Sequence, residues 1–277
     1  MSPGAWPALA AATRRARPRL PFAIDGTLVG SVALDHIDAL RAWPRVFAFD
    51  GERVTLLAED RDATLASINA SLREQGLIVA WRDETYAIRA RSGAPPLALI
   101  ERAAARFWGT LTFGAHANGY VADAAGRPTH LWIARRSPDK ATDPGKLDNL
   151  VGGGVPHGQT PFETLVREGF EEAGLDATLM RSALPGRVIE VACDIAEGFM
   201  HELLHAFDLR LPPGLTPVNQ DGEVAELNCL PAQEALELAA GEAMTVDAAL
   251  VTLDFALRHR LLAADQVARL TRLMPYA

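Results

Sequence analysis

The chain has 277 residues, 49% of them hydrophobic, and a formal net charge of −8 from 27 Lys and Arg against 35 Asp and Glu. That is enough to bury a full core and to build two domains, and an acidic chain without a basic stripe argues against a nucleic-acid partner. Cys193 and Cys229 make no CxxC pair, which argues against a zinc ribbon or a disulfide framework, and no apolar run approaches the ~20 residues of a membrane span.

The opening stretch, MSPGAWPALAAATRRARPRLPFAIDG, carries Arg14, Arg15, Arg17 and Arg19 and no acid before Asp25. A transit peptide shares that bias, but the apolar residues precede the arginines, the reverse of a secretory signal. Residues 1–20 therefore read as a disordered tail on a cytoplasmic protein. Residues 21–108 alternate small elements. LDHIDALRAW predicts a helix, VFAFDGERVTLLA a hairpin turning at Asp50-Gly51, and ATLASINASLREQG a helix stopped by Gly76. LIVAWRDETYAIRA reads as two strands around Arg82-Asp83-Glu84. SGAPP reads as a linker, and Pro95-Pro96 opens a helix reaching about Trp108.

From residue 109 the texture changes. TFGAHANGYVA and THLWIARR read as strands, followed by a polar loop, a strand into glycines and an acidic helix. RVIEVACDIA, ELLHAFDLRL and GEVAELNCL are further strands, and AQEALELAA, VDAALVTLDFALRHRLL and ADQVARLTRLM are helices. The pattern is mixed α/β, a sheet flanked by helices over 109–277, preceded by a smaller α+β domain over 21–108.

The acidic helix is FETLVREGFEEAGL, Phe162 to Leu175. Thr160-Pro161-Phe162-Glu163 spells a capping box with proline at the first helical position, and Gly174 is a stop. Phe162, Leu165, Val166, Phe170 and Ala173 form an apolar stripe, which places Glu168, Glu171 and Glu172 together on another face. Like charges so spaced cost roughly 0.2–0.5 kcal/mol per pair, so a bound cation is a reason to keep them. Upstream, Gly152-Gly153-Gly154 lacks the Lys-Ser/Thr of a phosphate loop, and His157 stands where a dinucleotide fingerprint needs glycine. A glycine loop folded against helical carboxylates suits Mg²⁺ or Mn²⁺ holding phosphate oxygens.

GGVPHGQTPFETLVREGFEEAGL resembles the Nudix box, Gx5Ex7REUxEExGU with U a bulky apolar residue. Gly153, Arg167, Glu168, Glu171, Glu172, Gly174 and Leu175 match, while Gln159 replaces the first glutamate and Gly169 a bulky apolar residue. The resemblance implies a Nudix α/β/α sandwich and a metal-dependent hydrolase of nucleoside diphosphate derivatives or similar diphosphates. Glu168 and Glu172 would be the main ligands of Mg²⁺ or Mn²⁺, with Glu171 assisting, Arg167 orienting the glutamates and Gly153 in the metal loop. Gln159 cannot ligate as an anion. Beyond the box, WRDETYAIRA, PPLALIERAA, FGAHANGYV, LWIARRSPDKATDPGKLDNLVGGG and DGEVAELNCLP resemble the Nudix proteins related to the Nudix portion of fungal thiamine pyrophosphokinase. That similarity implies hydrolysis of thiamine diphosphate, or of its oxo and oxy analogues, to the monophosphate.

Around the box, Arg135, Arg136, Lys140 and Lys146 are candidate phosphate contacts or ordinary surface charge, with Lys146 the best placed. Glu223 and Glu226 are candidates for a late glutamate or for a polar strand edge. Trp81 and Tyr86 either stack on a substrate ring or pack a small core. His116, Asn118 and Tyr120 alternate on a strand and line a pocket or satisfy a core. His201-Glu202-Leu203-Leu204-His205 spells the HExxH of zinc peptidases, but the surrounding alternation is that of a strand. There the two histidines stand ~13 Å apart at ~3.3 Å per residue, too far to share one zinc, which leaves a zinc peptidase with Glu223 or Glu226 as a distant third ligand a remote alternative. The leading reading is thus an Mg²⁺- or Mn²⁺-dependent hydrolase of a small-molecule diphosphate, with no nucleic-acid or membrane partner; a homodimer stays open. A ligand-sensing Nudix module is the second reading, and an isoprenoid diphosphate isomerase rests on fold analogy alone.

Overall fold

The computed structural model describes residues 6–277. Pro7–Ala11 form a helix (α1), and Arg19–Ile24 a strand (β1). Trp6, Ala8 and Ala12 are buried in the C-terminal core, and the carbonyls of Ala12 and Arg14 accept from the amides of Ala192 and Asp194. Residues 6–20 therefore belong to the fold and are not a disordered tail. The apolar residues ahead of the arginines supply its buried face. Residues 1–5 of the expected tail lie outside the described residues.

A second core gathers residues between Phe22 and Trp108. β1 lies between β2 (Thr27–Ala33), antiparallel, and β4 (Val54–Leu56), parallel. β3 (Phe47–Phe49) completes the hairpin expected at Asp50-Gly51. Two helices were legible here. α2 (Ile37–Leu40) follows a 3-10 turn, and α3 (Arg61–Glu74) is capped by the Asp60 side chain, which accepts from the Ala63 amide. Residues 77–81 form no strand; only β5 (Thr85–Ile88) does, and it pairs with β6 (Ala98–Glu101). SGAPP is the turn of that hairpin, not a linker. Ala98 and Ile100 point into the core while Leu99 and Glu101 are half-exposed, a period of two that overrides the helix read from Pro95-Pro96. The helix shrinks to α4 (Ala104–Trp108), ended by Gly109 at φ 55. Trp108 is fully buried against Phe22, Phe47 and Phe107, and its indole N–H donates to Asn69 (2.8 Å).

The C-terminal part is one seven-stranded mixed sheet. Its strands are β7 (Leu111–Ala122), β8 (Pro128–Arg136), β9 (Leu147–Asp148), β10 (Val151–Gly154), β11 (Leu184–Ile195), β12 (Gly198–Arg210) and β13 (Val224–Pro231). The order is β11-β12-β7-β8-β13, with β10 beside β7 and β9 beside β8, and only the β12–β7 pairing is parallel. Helices α5 (Pro161–Ala173) and α6 (Ala177–Met180) pack on one face through Leu165, Ala173 and Met180. On the other face lie α7 (Ala232–Ala239), α8 (Val246–Arg258) and α9 (Ala264–Leu273), with α1. The class is the expected one, an α/β/α sandwich preceded by a smaller α+β unit.

Candidate active site

Helix α5 starts as its sequence dictates. The Thr160 hydroxyl accepts from the Glu163 amide (3.2 Å), the Glu163 carboxylate accepts from the Thr160 amide (2.8 Å), and Gly174 closes the helix at φ 63. Its faces are not quite those of the apolar stripe. Phe170 is 59% exposed, whereas Glu172 is buried beside Leu165 and Gly169. The inner face of the helix meets the glycine strand as well as the core, and Glu172 is drawn in because one carboxylate oxygen accepts from the Gly152 amide (2.8 Å).

The glycines make that approach possible. A Cβ on Gly153 would overlap the Glu168 carboxylate, and one on Gly152 would overlap the His116 ring. At Gly154 a Cβ would overlap the Tyr86 hydroxyl. Gly154→Ala should therefore cost about 1–3 kcal/mol in a urea melt, as overpacking does; an unchanged midpoint would mean that the β5–β10 contact yields freely.

Arg167 donates to Glu168 (2.8 Å) and Glu171 (2.6 Å) and so holds both carboxylates. Glu172 stands apart from this group, 3.8 Å from the Lys140 ammonium. Burial raises the pKa of Glu168, and it pushes Glu172 up to about 8 despite Lys140 and the Gly152 amide. Among the described residues no trio of His, Cys, Asp or Glu side chains closes into a cage.

Beside the glycine strand is a cavity of about 590 Å³, lined from the C-terminal unit by Gly152–Gly154, Arg136 and Lys146, and from the N-terminal unit by Arg82, Arg102 and Arg106. Lys146 is half-exposed and pairs only loosely with Asp143 (3.3 Å), and Arg136 is fixed by Asp148 (2.8 Å). Two other expected phosphate contacts fall elsewhere. Arg135, on the opposite side of β8, pairs with Glu226 (3.1 Å), and neither residue lines the cavity. Lys140 is nearly buried between Glu172 and Glu223, so it is a carboxylate partner and not a free phosphate contact. Glu223 thereby reaches the box helix through Lys140.

The two aromatic candidates offer no stacking surface to the cavity. Trp81 donates to Asp83 (2.7 Å), lies under the Arg73 guanidinium (4.7 Å) and packs against the N-terminal core. Tyr86 is buried in that core, with Arg102 over its ring (5.7 Å) and its hydroxyl without a partner among the described residues. In place of aromatics the N-terminal unit supplies arginines. Arg102 and Arg106 stand four apart in IERAAARFWG, where Glu101 is the one other charged residue, a legible signal that composition alone does not bring out.

His116 faces the cavity and contacts Asn149 (3.1 Å). Asn118 is buried in a network with Asn149, Val251 and Thr252, and Tyr120 packs on Phe255. The HExxH spelling lies on β12, as its alternation indicates. His201 contacts Glu190 (3.1 Å), while Glu202 points inward to Arg106 and Thr112. The zinc-peptidase geometry is absent.

Comparison with known proteins decides the family. Residues 112–249 match the NUDIX domain and residues 8–112 a domain of unknown function, DUF4743. Nudix hydrolase 24, chloroplastic, of Arabidopsis thaliana is 36% identical over 251 residues, which cover 88% of this chain and 68% of that one. The chain belongs to the Nudix hydrolase family. Nudix hydrolase 20, chloroplastic, of the same plant is 34% identical over 256 residues, 87% of this chain and 68% of that one. A solved structure from Deinococcus radiodurans shares 26% identity and a TM-score of 0.47, over 61% of this chain and 98% of that one.

Both departures from the Nudix box have local explanations. Gln159 accepts from the Thr164 hydroxyl (3.0 Å) at the start of the box helix. At Gly169 a Cβ would overlap Met180 of α6, so a neighbouring helix fills the place of the missing side chain. Nudix hydrolases generally use a divalent metal such as Mg²⁺ or Mn²⁺. The residues present fit such an ion. Glu168 lies directly against a strand that only glycine permits, and Glu168 and Glu172 are hard oxygen donors whose burial a divalent charge would offset. An incomplete protein cage also suits Mg²⁺, which keeps waters and substrate oxygens.

Proposed function

We propose that this Nudix enzyme hydrolyses the diphosphate bond of a small organic diphosphate, with water attacking one phosphorus to give the monophosphate and inorganic phosphate. The observation that carries the reading is the juxtaposition of Glu168 and Glu172, packed on the glycine strand, with a cavity lined by Arg82, Arg102, Arg106, Arg136 and Lys146. Glu168 and Glu172 would hold Mg²⁺ or Mn²⁺ with Glu171 assisting, and Arg167 fixes Glu168 and Glu171. Such an ion would supply a water of lowered pKa and a charge that offsets that of the leaving phosphate. Lys146 and Arg136 hold the phosphates, a box glutamate accepts the proton from water, and Lys140 keeps Glu172 in place.

Within that class the substrate we favour is thiamine diphosphate or its oxo and oxy analogues. Support comes from the resemblance of segments in both units to the Nudix proteins related to the Nudix portion of fungal thiamine pyrophosphokinase. Residues 21–108 and 109–277 are assigned as the two domains, with residues 6–20 packed on the second. The reading includes a cytoplasmic enzyme, acting without nucleic acid or a membrane; among the described residues no helix is long and apolar enough to cross one. The plant relatives above carry the word chloroplastic in their own names. The test is a kcat/KM panel with Mg²⁺ over thiamine diphosphate, oxythiamine diphosphate, ADP-ribose, NADH and deoxynucleoside triphosphates. The thiamine compounds should lead. A lead by ADP-ribose or NADH would move the substrate to the nucleoside diphosphate derivatives and leave the chemistry standing.

A further inference from the structure

Three cations of the cavity already have a carboxylate where they stand. Arg136 holds Asp148 (2.8 Å), Lys146 faces Asp143 (3.3 Å) and Arg102 donates to Glu84 (3.1 Å). Arg82 is different. It lines the same cavity, half-buried, yet its guanidinium makes no ion pair or hydrogen bond among the described residues. The charges that act on it include those of Arg102 and Arg136, and its own charge reaches Lys140, the neighbour of Glu172. Glu84 acts on it too but is engaged by Arg102. A cation partly stripped of water and set among other cations is costly unless an anion joins it.

The loop that carries Arg82 is held firmly. Ala80 and Asp83, on either side of it, both stand in the left-handed region at φ 59, which residues with side chains seldom adopt. The Trp81 indole donates to Asp83 (2.7 Å), and its ring packs on the N-terminal core. The Arg82 amide donates to Glu101 (2.8 Å), whose other oxygen accepts from the Ala103 amide (2.5 Å). Backbone and flanking side chains are thus bonded inside their own domain, and the Arg82 guanidinium is left over. Arg102 marks where this part of the domain meets the Nudix domain. A Cβ on Gly154 would come 3.1 Å from its guanidinium carbon, and its charge reaches Glu168. Arg82, on which Arg102 acts, therefore belongs to the end of the cavity that the glycine strand lines. Arg14 also lines the cavity without a partner for its side chain, but it is exposed, its carbonyl is bonded by the Asp194 amide (2.9 Å), and its charge acts on Cys193.

We propose that Arg82 is a phosphate-binding residue lent to the active site by the N-terminal domain, so that a bound diphosphate joins Arg82 to Arg136 and Lys146 and ties the two domains together. The proposal rests on the diphosphate hydrolase reading of the same cavity. A guanidinium suits the task, because its fork grips two phosphate oxygens at once. It reads the phosphates and is indifferent to the organic group.

The test compares full-length wild type, Arg82→Ala, Arg82→Lys and Arg53→Ala with Mg²⁺. Arg53 controls for net charge, since it is on the same domain, pairs with Asp50 (3.4 Å) and does not line the cavity. Arg82→Ala should raise KM about 10- to 100-fold, the value of one hydrogen bond to a charged group, on thiamine diphosphate and ADP-ribose alike, whichever the wild type turns over. Arg82→Lys, which keeps the charge and loses the fork, should lose less, and Arg53→Ala nothing. Calorimetry with methylenediphosphonate, which has two phosphonates and no organic group, should rank the four proteins in the same order. Ligand-free Arg82→Ala should melt no lower than wild type, because its side chain has no partner to lose. An unchanged KM in Arg82→Ala, a loss on only one of two substrates turned over, or an equal loss in Arg53→Ala overturns the proposal. So does a lower ligand-free melting temperature, which would give Arg82 a structural role. If wild type turns over no diphosphate, the hydrolase reading falls by itself and calorimetry judges Arg82. Weaker diphosphonate binding by Arg82→Ala than by wild type then supports the proposal, and equal binding, or none by wild type, overturns it.

Discussion

Glu172→Gln and Glu168→Gln should each lower kcat/KM by more than about 100-fold, beyond the 10- to 100-fold typical of groups that only support a metal ligand. Both substitutions keep size and shape. At Glu172 the amide oxygen can still accept from the Gly152 amide, so the glycine strand stays docked on the helix. What is lost is an anionic donor, and with it affinity for a divalent cation. Folding should not suffer. Glu172 is buried with one ammonium 3.8 Å away, and a neutral side chain there escapes the cost of burying charge. Melting temperatures without added metal should therefore hold or rise while activity collapses. Full activity in both variants with unchanged Mg²⁺ dependence would remove the box glutamates from the chemistry.

Arg258→Met should destabilise the fold by about 3–5 kcal/mol, as breaking a buried ion pair from one side does. Arg258 on α8 binds Asp208 of β12 at two points and Asp254 one turn back (2.7 Å), and the two carboxylate side chains are 4% and 0% exposed. His259 also reaches Asp208 (2.8 Å), and the Tyr276 hydroxyl donates to Asp254 (2.9 Å), so helix, sheet and C-terminal segment share one network. Methionine fills the volume but removes the charge partner of both carboxylates, leaving Asp208 with His259 and Asp254 with the Tyr276 hydroxyl and the Arg187 amide. Urea midpoints would read the loss, and a change below about 1 kcal/mol would mean that water reaches both groups.

The same network has a pH signature. Burial alone would raise Asp208, but hydrogen bonds from Arg258 and His259 and their charges hold it below its usual value. A depressed folded pKa gives stability that is present above the unfolded value of about 3.9 and is lost as pH falls through the folded one. Asp208→Asn should flatten that acid limb.

How much of this was legible depended on whether the signal was local. The α5 caps, the strand character of HELLH and the hairpin at Asp50-Gly51 follow from residues a few positions apart, and the structure has each of them. The inward turn of Glu172 and the exposure of Phe170 were not legible, because the partner that draws Glu172 in is the Gly152 amide on another element. Gly169 looked like a defect in the motif until Met180 was seen to occupy its place. Trp81 and Tyr86, which the sequence leaves open between ring stacking and core packing, pack the N-terminal core, and the charged residues of that domain that line the cavity are Arg82, Arg102 and Arg106. Hydrophobic periodicity marks core residues well, but it cannot say which cations a second domain turns toward a cavity. The 6–20 segment failed for a related reason: the surface that orders it lies at residues 192–194.

The most direct measurement is a ³¹P NMR time course of wild-type enzyme with thiamine diphosphate and Mg²⁺, repeated in EDTA. The account predicts that the two coupled diphosphate resonances give way to one monophosphate and one inorganic phosphate signal, that EDTA stops the conversion, and that added Mg²⁺ restores it. Conversion at the same rate in EDTA would contradict it, as would unchanged spectra for thiamine diphosphate and for every other diphosphate in the panel.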